Sequence, residues 1–313
     1  MQVVLLAGGL GGARLAPALG TVLGRRRLTV VANVGDDLEW MGLRVCPDLD
    51  SIVYALAGVW DRDRGWGRRE ETFRVRDALA ALGAPSWFGI GDGDLSLHLS
   101  RSALLRSGAS LTETTRILSR RIGVRGVAVV PASDRRARTR FVTRDGRRLA
   151  FQEWYVRERA RPRIRRTLLS RAMPSSAALA ALRRSDAVVL APSNPVTSIG
   201  SILALRGIAS AVRRVPLRIA ISPVVRNRPL RSASIAHHAR ARRRVLEADG
   251  HSDRALSVAA RYSRFVDWFL LDEADEAEAS AIRRLGLEVG LADLLDEERL
   301  AETLLALLRR AKR

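Results

Sequence analysis

Four aspartates fall within fifteen residues near the start of this chain. Asp36 and Asp37 end the run Asn33-Val34-Gly35-Asp36-Asp37, and Asp48 and Asp50 follow in Pro47-Asp48-Leu49-Asp50. Carboxylates this dense could hold a hard divalent cation such as Mg²⁺. Each one taken singly could equally cap a helix. Upstream, Gly8-Gly9-Leu10-Gly11-Gly12-Ala13-Arg14 follows a short apolar run. A glycine-rich turn from strand to helix lets backbone N–H groups approach a phosphate at the helix N-terminus. The dinucleotide fingerprint G-x-G-x-x-G fails, because Arg14 stands where the third glycine should fall, and the Gly-Lys-Ser/Thr ending of a P-loop is also absent. The segment is therefore a phosphate loop of another kind, or a tight turn that only packs its helix.

Two further segments could carry chemistry. Gly91-Asp92-Gly93-Asp94 follows Ser86-Trp87-Phe88-Gly89-Ile90, with His98 four residues after Asp94. Aspartates in a glycine-flanked turn suit a metal or substrate hydroxyls, and His98 could act as base or hydrogen-bond partner, although a structural histidine is the simpler expectation. Ala191-Pro192-Ser193-Asn194-Pro195-Val196-Thr197-Ser198-Ile199-Gly200 offers hydroxyl, amide and backbone N–H groups for an anion or a base, or an ordinary capped junction. His237-His238 lies in a basic stretch without acid or cysteine at metal-ligand spacing, which argues against zinc.

Short apolar runs separated by helical stretches must position these residues. Val3–Ala7, Leu28–Asn33, Trp87–Ile90, Val124–Val130, Ala187–Ala191, Leu217–Ser222, Trp268–Leu271 and Leu287–Val289 read as strands of a mostly parallel sheet buried on both faces. Several end in the polar segments above, and ligands of open α/β sheets collect at the carboxyl ends of strands. Between about residues 60 and 175 the rhythm changes. Helices are expected over Thr72–Leu82 and Thr112–Arg121, then a hairpin of Arg138–Val142 and Arg148–Val156 around Asp145-Gly146. In the tail, Leu300, Leu304, Leu307 and Leu308 share one helical face that should pack on the core.

Composition narrows the class. The 313 residues are 47% apolar and 28% charged, as in a globular protein rather than a disordered or fibrous one. One cysteine, Cys46, excludes an internal disulfide and a multi-cysteine zinc site and suits the cytoplasm. The N-terminus lacks the basic segment of a signal peptide, and no apolar window is long enough to span a membrane. The net charge of +21 favours anionic ligands. Yet of 54 basic residues only Lys312 is lysine, and the arginines are spread along the whole chain. That pattern fits a compositional bias better than a nucleic-acid-binding patch.

Taken in order, GGLGGARL, ANVGDD, CPDLDSIVYALAG, WFGIGDGDLSLHL, GASLTETT, FQEWYV, PSNPVTSIGSIL and IAISPVV resemble the 2-phospho-L-lactate transferase family, which makes the precursor of coenzyme F-420. The resemblance runs from residue 3 to about 275. It implies a Rossmann-like α/β core with an inserted helical and hairpin subdomain, Mg²⁺ dependence, a cytoplasmic homodimer and small-molecule substrates without nucleic acid or membrane. On that expectation residues 1–60 and 176–313 form the nucleotide-binding core. Residues 61–175 form a partly inserted subdomain over a deazaflavin pocket and lend the core a strand near 124–130.

The implied reaction moves a phosphorylated three-carbon acid (2-phospho-L-lactate, phosphoenolpyruvate or 3-phosphoglycerate) from its guanosine diphospho-activated form. The acceptor is the ribityl hydroxyl of the deazaflavin Fo (7,8-didemethyl-8-hydroxy-5-deazariboflavin), and GMP leaves. In-line displacement at phosphorus depends on alignment and charge neutralisation. Mg²⁺ is therefore expected on Asp50 with help from Asp36, Asp37 or Asp48. Backbone donors from Gly9, Gly11 and Gly12 would meet the nucleotide, Ser193 and Asn194 the guanosine or diphosphate, and Asp92 and Asp94 the deazaflavin. Asp50 is the residue whose loss should most impair catalysis.

The chain departs from the family's pattern at Gly93, where a cationic side chain is usual, and over residues 226–234, where Arg231 keeps a basic side chain but two glycines are lost. The principal alternative is a nucleotide- or nucleotide-sugar-binding regulator of the same fold without transfer activity. The segments WFGIGDGDLSLHL and PDLD argue against it, since a regulator needs no second pocket.

Overall fold

Val3, Val4, Leu5, Leu6 and Ala7 are all buried, as expected of a central parallel strand covered on both faces. In the computed structural model, which describes residues 1–229 and 233–310, they form β1 (Val3–Ala7). The chain continues with β2 (Leu28–Ala32), β3 (Leu38–Trp40), β4 (Leu43–Val45), β5 (Ala128–Pro131) and β6 (Arg140–Thr143). Then come β7 (Arg148–Ala150), β8 (Ile164–Leu168), β9 (Ala187–Leu190), β10 (Leu217–Ile221), β11 (Trp268–Asp272) and β12 (Glu288–Ala292).

The helices are α1 (Gly9–Leu23), α2 (Pro47–Leu56), α3 (Arg74–Ala81), α4 (Asp92–Arg106), α5 (Leu111–Ile122) and α6 (Ser176–Arg184). They are followed by α7 (Ile199–Ala204), α8 (Ile208–Arg213), α9 (Ala233–Ala248), α10 (Ala255–Tyr262), α11 (Ala279–Arg283) and α12 (Glu297–Arg310).

Seven strands form one parallel sheet in the order β12-β11-β10-β9-β1-β2-β5. The fold is an α/β, Rossmann-like one. The chain starts in mid-sheet, runs outward through β2 to β5, then returns to the other side of β1 and runs outward again from β9. The order therefore reverses between β1 and β9, and their carboxyl ends open a crevice at the topological switch point. A separate antiparallel sheet, β7-β6-β8, and the hairpin β3-β4 stand beside the main sheet. Helix α12 buries Leu300, Ala301, Leu304, Leu307 and Leu308, as its apolar stripe requires.

Two expected strands are corrected. Trp87–Ile90 forms no ladder. Its aromatics instead pack on the β3-β4 hairpin, with Trp87 edge-on to Trp40 at 4.8 Å and Phe88 at 5.8 Å from the same ring. An apolar run can be satisfied by a side-chain cluster as well as by a sheet. The strand expected over Arg148–Val156 ends at Ala150, and the chain then winds into a π-helical turn over Glu153–Arg157, closed by a bond from Glu158 N–H to Glu153 O. Arg231 of the altered 226–234 segment lies outside the described residues.

Candidate active site

The turns leaving β1 and β9 are locked together. Gly8 N–H donates to Ser193 Oγ at 3.1 Å, and Ser193 Oγ donates to Gly8 O at 2.7 Å. A Cβ on Gly11 would stand 2.2 Å from the Pro192 carbonyl oxygen, so only glycine lets α1 approach the second turn. Among the described residues no side chain caps the N-terminus of α1, and no acid sits in its first turn, which leaves a region of positive potential. Gly9, Leu10 and Gly11 there line a cavity of about 690 Å³ at the switch point.

The four early aspartates divide into two kinds. Asp37 is taken by Arg44, whose Nη2 donates to Oδ2 at 2.6 Å, and it also accepts from Cys46 Sγ at 3.2 Å. Asp50 forms a bidentate ion pair with Arg101, with both groups buried. Asp36 and Asp48 are different. Both are buried, and neither forms an ion pair with a basic side chain among the described residues. Burial and the like charges of Asp48 and Asp37 raise the Asp36 pKa well above the carboxylate range. Asp48 is pushed up to about 7, mainly by burial and also by Asp37, against the pull of hydrogen bonds from Asn33 Nδ2 and Gly9 N–H. Among the described residues Asp36 Oδ1 has no hydrogen-bond partner.

Asp50 belongs to a buried network on α2 and α4. Arg101 Nη1 lies 3.2 Å from His98 Nδ1, His98 Nε2 lies 3.4 Å from Asp94 Oδ1 without forming a hydrogen bond, and Tyr54 Oη donates to Asp94 at 2.5 Å. Burial opposes ionisation of Asp94, but His98, Tyr54 and Arg101 more than offset it and hold its pKa below the usual value. Ligand atoms of Asp50, Asp94 and His98 come within 4.8 Å of one another. A metal there would have to displace the Arg101 guanidinium, so the cluster is better described as an ion-pair network at the cavity wall.

The opposite wall comes from FQEWYV. Trp154 is fully buried against Phe141, and its Nε1 donates to Pro162 O, which anchors the π-turn. Gln152 Nε2 donates to the Asp36 carbonyl at 3.3 Å. Tyr155 stacks on Phe151 at 5.3 Å and meets His237 and His238 of α9 at 4.6 and 5.4 Å.

Of the site residues expected from sequence, Gly9, Gly11, Asp36, Asp48, Asp50, Asp94, Ser193 and Asn194 line the cavity. Gly12, Asp37 and Asp92 are not among its lining residues. Gly12 packs on Ala7, where a Cβ would come within 2.6 Å. Asp92 caps α3, accepting from Thr72 Oγ1 and from the N–H groups of Arg74 and Val75, while Glu71 caps α4 at Gly93 and Asp94. Asn194 Oδ1 accepts from the N–H groups of Val196 and Thr197, which shapes the second turn. The chemistry-bearing residues not singled out from sequence are Arg101, Tyr54, Gln152 and Tyr155. For the last two, the only signal was their place in the FQEWYV segment.

Comparison with known proteins gives a consistent result. A family model described as 2-phospho-L-lactate transferase CofD matches residues 3–308. The chain is 38% identical over 309 residues to a phosphoenolpyruvate transferase of Streptomyces griseus, covering 94% of each protein. It is 40% identical over 291 residues to a phosphoenolpyruvate transferase of Thermobifida fusca, covering 88% of this chain and 87% of that one. A crystal structure of a UPF0052 family member from Bacillus halodurans superposes with a TM-score of 0.63 at 18% identity, covering 97% of this chain and 98% of that one, and shares the fold. With a match across nearly its whole length, and the switch-point cavity built from the turns that carry the match, the chain belongs to the 2-phospho-L-lactate transferase family.

Proposed function

We propose that the protein transfers a phosphorylated three-carbon acid from its guanosine diphospho-activated form to the ribityl hydroxyl of the deazaflavin Fo, releasing GMP. The relatives named phosphoenolpyruvate transferases favour phosphoenolpyruvate as the acid. The bond made joins the ribityl oxygen to the phosphorus that carries the acid. The bond broken joins that phosphorus to the GMP oxygen, and the hydroxyl proton is lost to solvent.

The observation that carries the reading is the pair Asp36 and Asp48 beside the glycine turn. Two buried carboxylates without a basic partner among the described residues, one with an orphaned oxygen, suit a hard cation. These two would hold Mg²⁺. When bound, the ion supplies charge neutralisation of the diphosphate. The earlier expectation centred the metal on Asp50; with Arg101 already paired to it, Asp50 serves better as a fixed acceptor for a hydroxyl of the deazaflavin chain, its charge favoured by Arg101 and His98 against the opposing pull of burial and of Asp94.

The N-terminus of α1 faces the diphosphate and stabilises its charge through backbone donors. Asn194 and the turn after β9 flank the guanosine side. The FQEWYV turn and α9 close the far wall and keep water from the reacting phosphorus. A cytoplasmic homodimer is carried over with the family resemblance, and among the described residues no helix is long and apolar enough to cross a membrane.

Incubation with Fo, Mg²⁺ and each of the three guanosine diphospho-activated acids, followed by mass spectrometry, tests the assignment. A deazaflavin phosphodiester with one equivalent of GMP, formed fastest from the enolpyruvyl donor, is expected. Folded protein that neither binds Fo nor forms product with any donor would overturn it and leave the nucleotide-binding regulator in its place.

A further inference from the structure

The FQEWYV segment contains a polar group that neither the fold nor the proposed chemistry uses. Tyr155 projects from a π-helical turn, a form of backbone found disproportionately at functional sites. The turn is followed by two consecutive residues, Arg159 and Ala160, held at φ +53° without being glycine. Such conformations persist only where surrounding structure enforces them. Here the enforcement comes from Trp154, fully buried, whose carbonyl accepts from Ala160 N–H at 2.8 Å.

The ring of Tyr155 is held by stacking on Phe151 and by a tilted contact with the His237 ring, and His237 Nε2 stands 3.3 Å from the Tyr155 carbonyl oxygen. Yet the hydroxyl of this well-held ring is buried and, among the described residues, has no hydrogen-bond partner. It lies within the electrostatic influence of Asp36 and Asp48 and lines the same cavity. Thr197 Oγ1, on the turn after β9, is likewise buried, without a hydrogen-bond partner among the described residues, and Thr197 is part of the cavity wall. A buried phenol without a partner costs free energy, and a ligand that accepts a hydrogen bond from it removes that cost.

We infer that the Tyr155 hydroxyl donates a hydrogen bond to a non-bridging oxygen of the phosphoryl group bound beside Asp36 and Asp48. In the proposed reaction, on which this rests, that group is the one carrying the acid, equivalent to the β-phosphate of GDP. A neutral phenol is a donor that adds no charge to repel the carboxylates, and its rigid ring loses little freedom on binding. A protonated phenol can also stabilise charge that builds on the phosphoryl oxygens as the ribityl oxygen arrives.

Tyr155→Phe keeps the ring and its stacking and removes only the oxygen. Because that oxygen has no partner among the described residues, the variant should melt at or above the temperature of the wild type. A merely structural role for the hydroxyl would lower it. Calorimetric titration with GDP and with GMP, each in excess Mg²⁺, locates the contact. GDP binding should weaken about 10-fold in Tyr155→Phe, while GMP, which lacks the second phosphate, binds both proteins alike. In turnover with Fo and the enolpyruvyl donor, kcat should fall about 10- to 100-fold with the KM for Fo unmoved, the scale of one hydrogen bond to a charged group. Unchanged GDP affinity in Tyr155→Phe, or equal weakening for GDP and GMP, would overturn the assignment of the hydroxyl while leaving the proposed transfer intact. Wild-type protein that binds neither nucleotide would overturn both.

Discussion

Asp48→Asn isolates the carboxylate pair and makes a prediction with an unusual sign. Burial pushes the Asp48 carboxyl up to about 7, against 3.8 for the unperturbed group. A folded-state value above the unfolded one means the native protein holds the proton longer than the unfolded chain. The contribution of Asp48 to stability is therefore most favourable below pH about 4 and erodes as pH rises toward about 7. Beyond that it stays flat. The full difference is roughly three pH units, or about 4 kcal/mol as an upper bound, of which about 2 kcal/mol falls between pH 5.5 and 8.

An asparagine has no charge to desolvate. Its Oδ1 can still accept from Asn33 or Gly9, and its amide can donate toward Asp36. Urea unfolding in EDTA at pH 5.5 and pH 8.0 should show Asp48→Asn gaining on the wild type by at least about 2 kcal/mol over that interval, because losing the Asp48 charge also lowers the pKa of the neighbouring Asp36. Adding Mg²⁺ at a hundredfold excess over its dissociation constant should stabilise the wild type at pH 8 by about 3 kcal/mol and the variant far less. Transfer activity should be lost in the variant despite its greater stability. A variant destabilised equally at both pH values, or stabilised by Mg²⁺ as much as the wild type, would refute the idea of a pair that waits for a cation.

Two other substitutions separate support from chemistry. Arg101→Met strands the buried Asp50 carboxylate and should cost about 3–5 kcal/mol in urea unfolding, with much of the loss recovered in the Asp50→Asn, Arg101→Met double variant; additive losses would show the pair to be uncoupled. Asp92→Ala removes the acceptor at the start of α3 and should lower the melting temperature slightly while leaving kcat/KM within about twofold, and a tenfold loss would restore Asp92 to the substrate side.

The sheet was legible because buried parallel strands are continuous apolar runs, and Val3–Ala7 and Ala187–Leu190 are buried at every position. The glycine turn and the turn after β9 were legible for the same reason, since ligands meet strands at their carboxyl ends. The run at Trp87–Ile90 misled because an aromatic cluster on Trp40 needs the same residue types as a strand. The hairpin sequence after Asp145-Gly146 reads as extended through Val156, yet Trp154 finds its buried place against Phe141 only if the chain coils after Ala150. Least legible was which aspartate lacks a basic partner among the described residues. Asp50 meets Arg101 from 51 positions away, and nothing local to Pro47-Asp48-Leu49-Asp50 distinguishes the carboxylate that gains a guanidinium from the one that does not.

That distinction is also the strongest argument about the charge of the chain. With 54 basic residues against 33 acids, an arginine partner for any carboxylate is abundant in this sequence. Asp37 and Asp50 have each acquired one, Arg44 and Arg101, and their negative charge is spent inside the protein. Asp36 and Asp48 remain buried, adjacent and mutually repelling at the point where the sheet order reverses, with the N-terminus of α1 beside them. Desolvated like charges are costly to a folded chain unless a ligand of opposite charge shares the site for part of its working cycle. A cation that arrives with a diphosphate meets that condition, because the carboxylates hold the ion and the helix terminus receives the anion. The surplus of arginine and the buried acids that lack a basic partner among the described residues thus fit a site for anionic small molecules brought in with a metal better than a surface for nucleic acid.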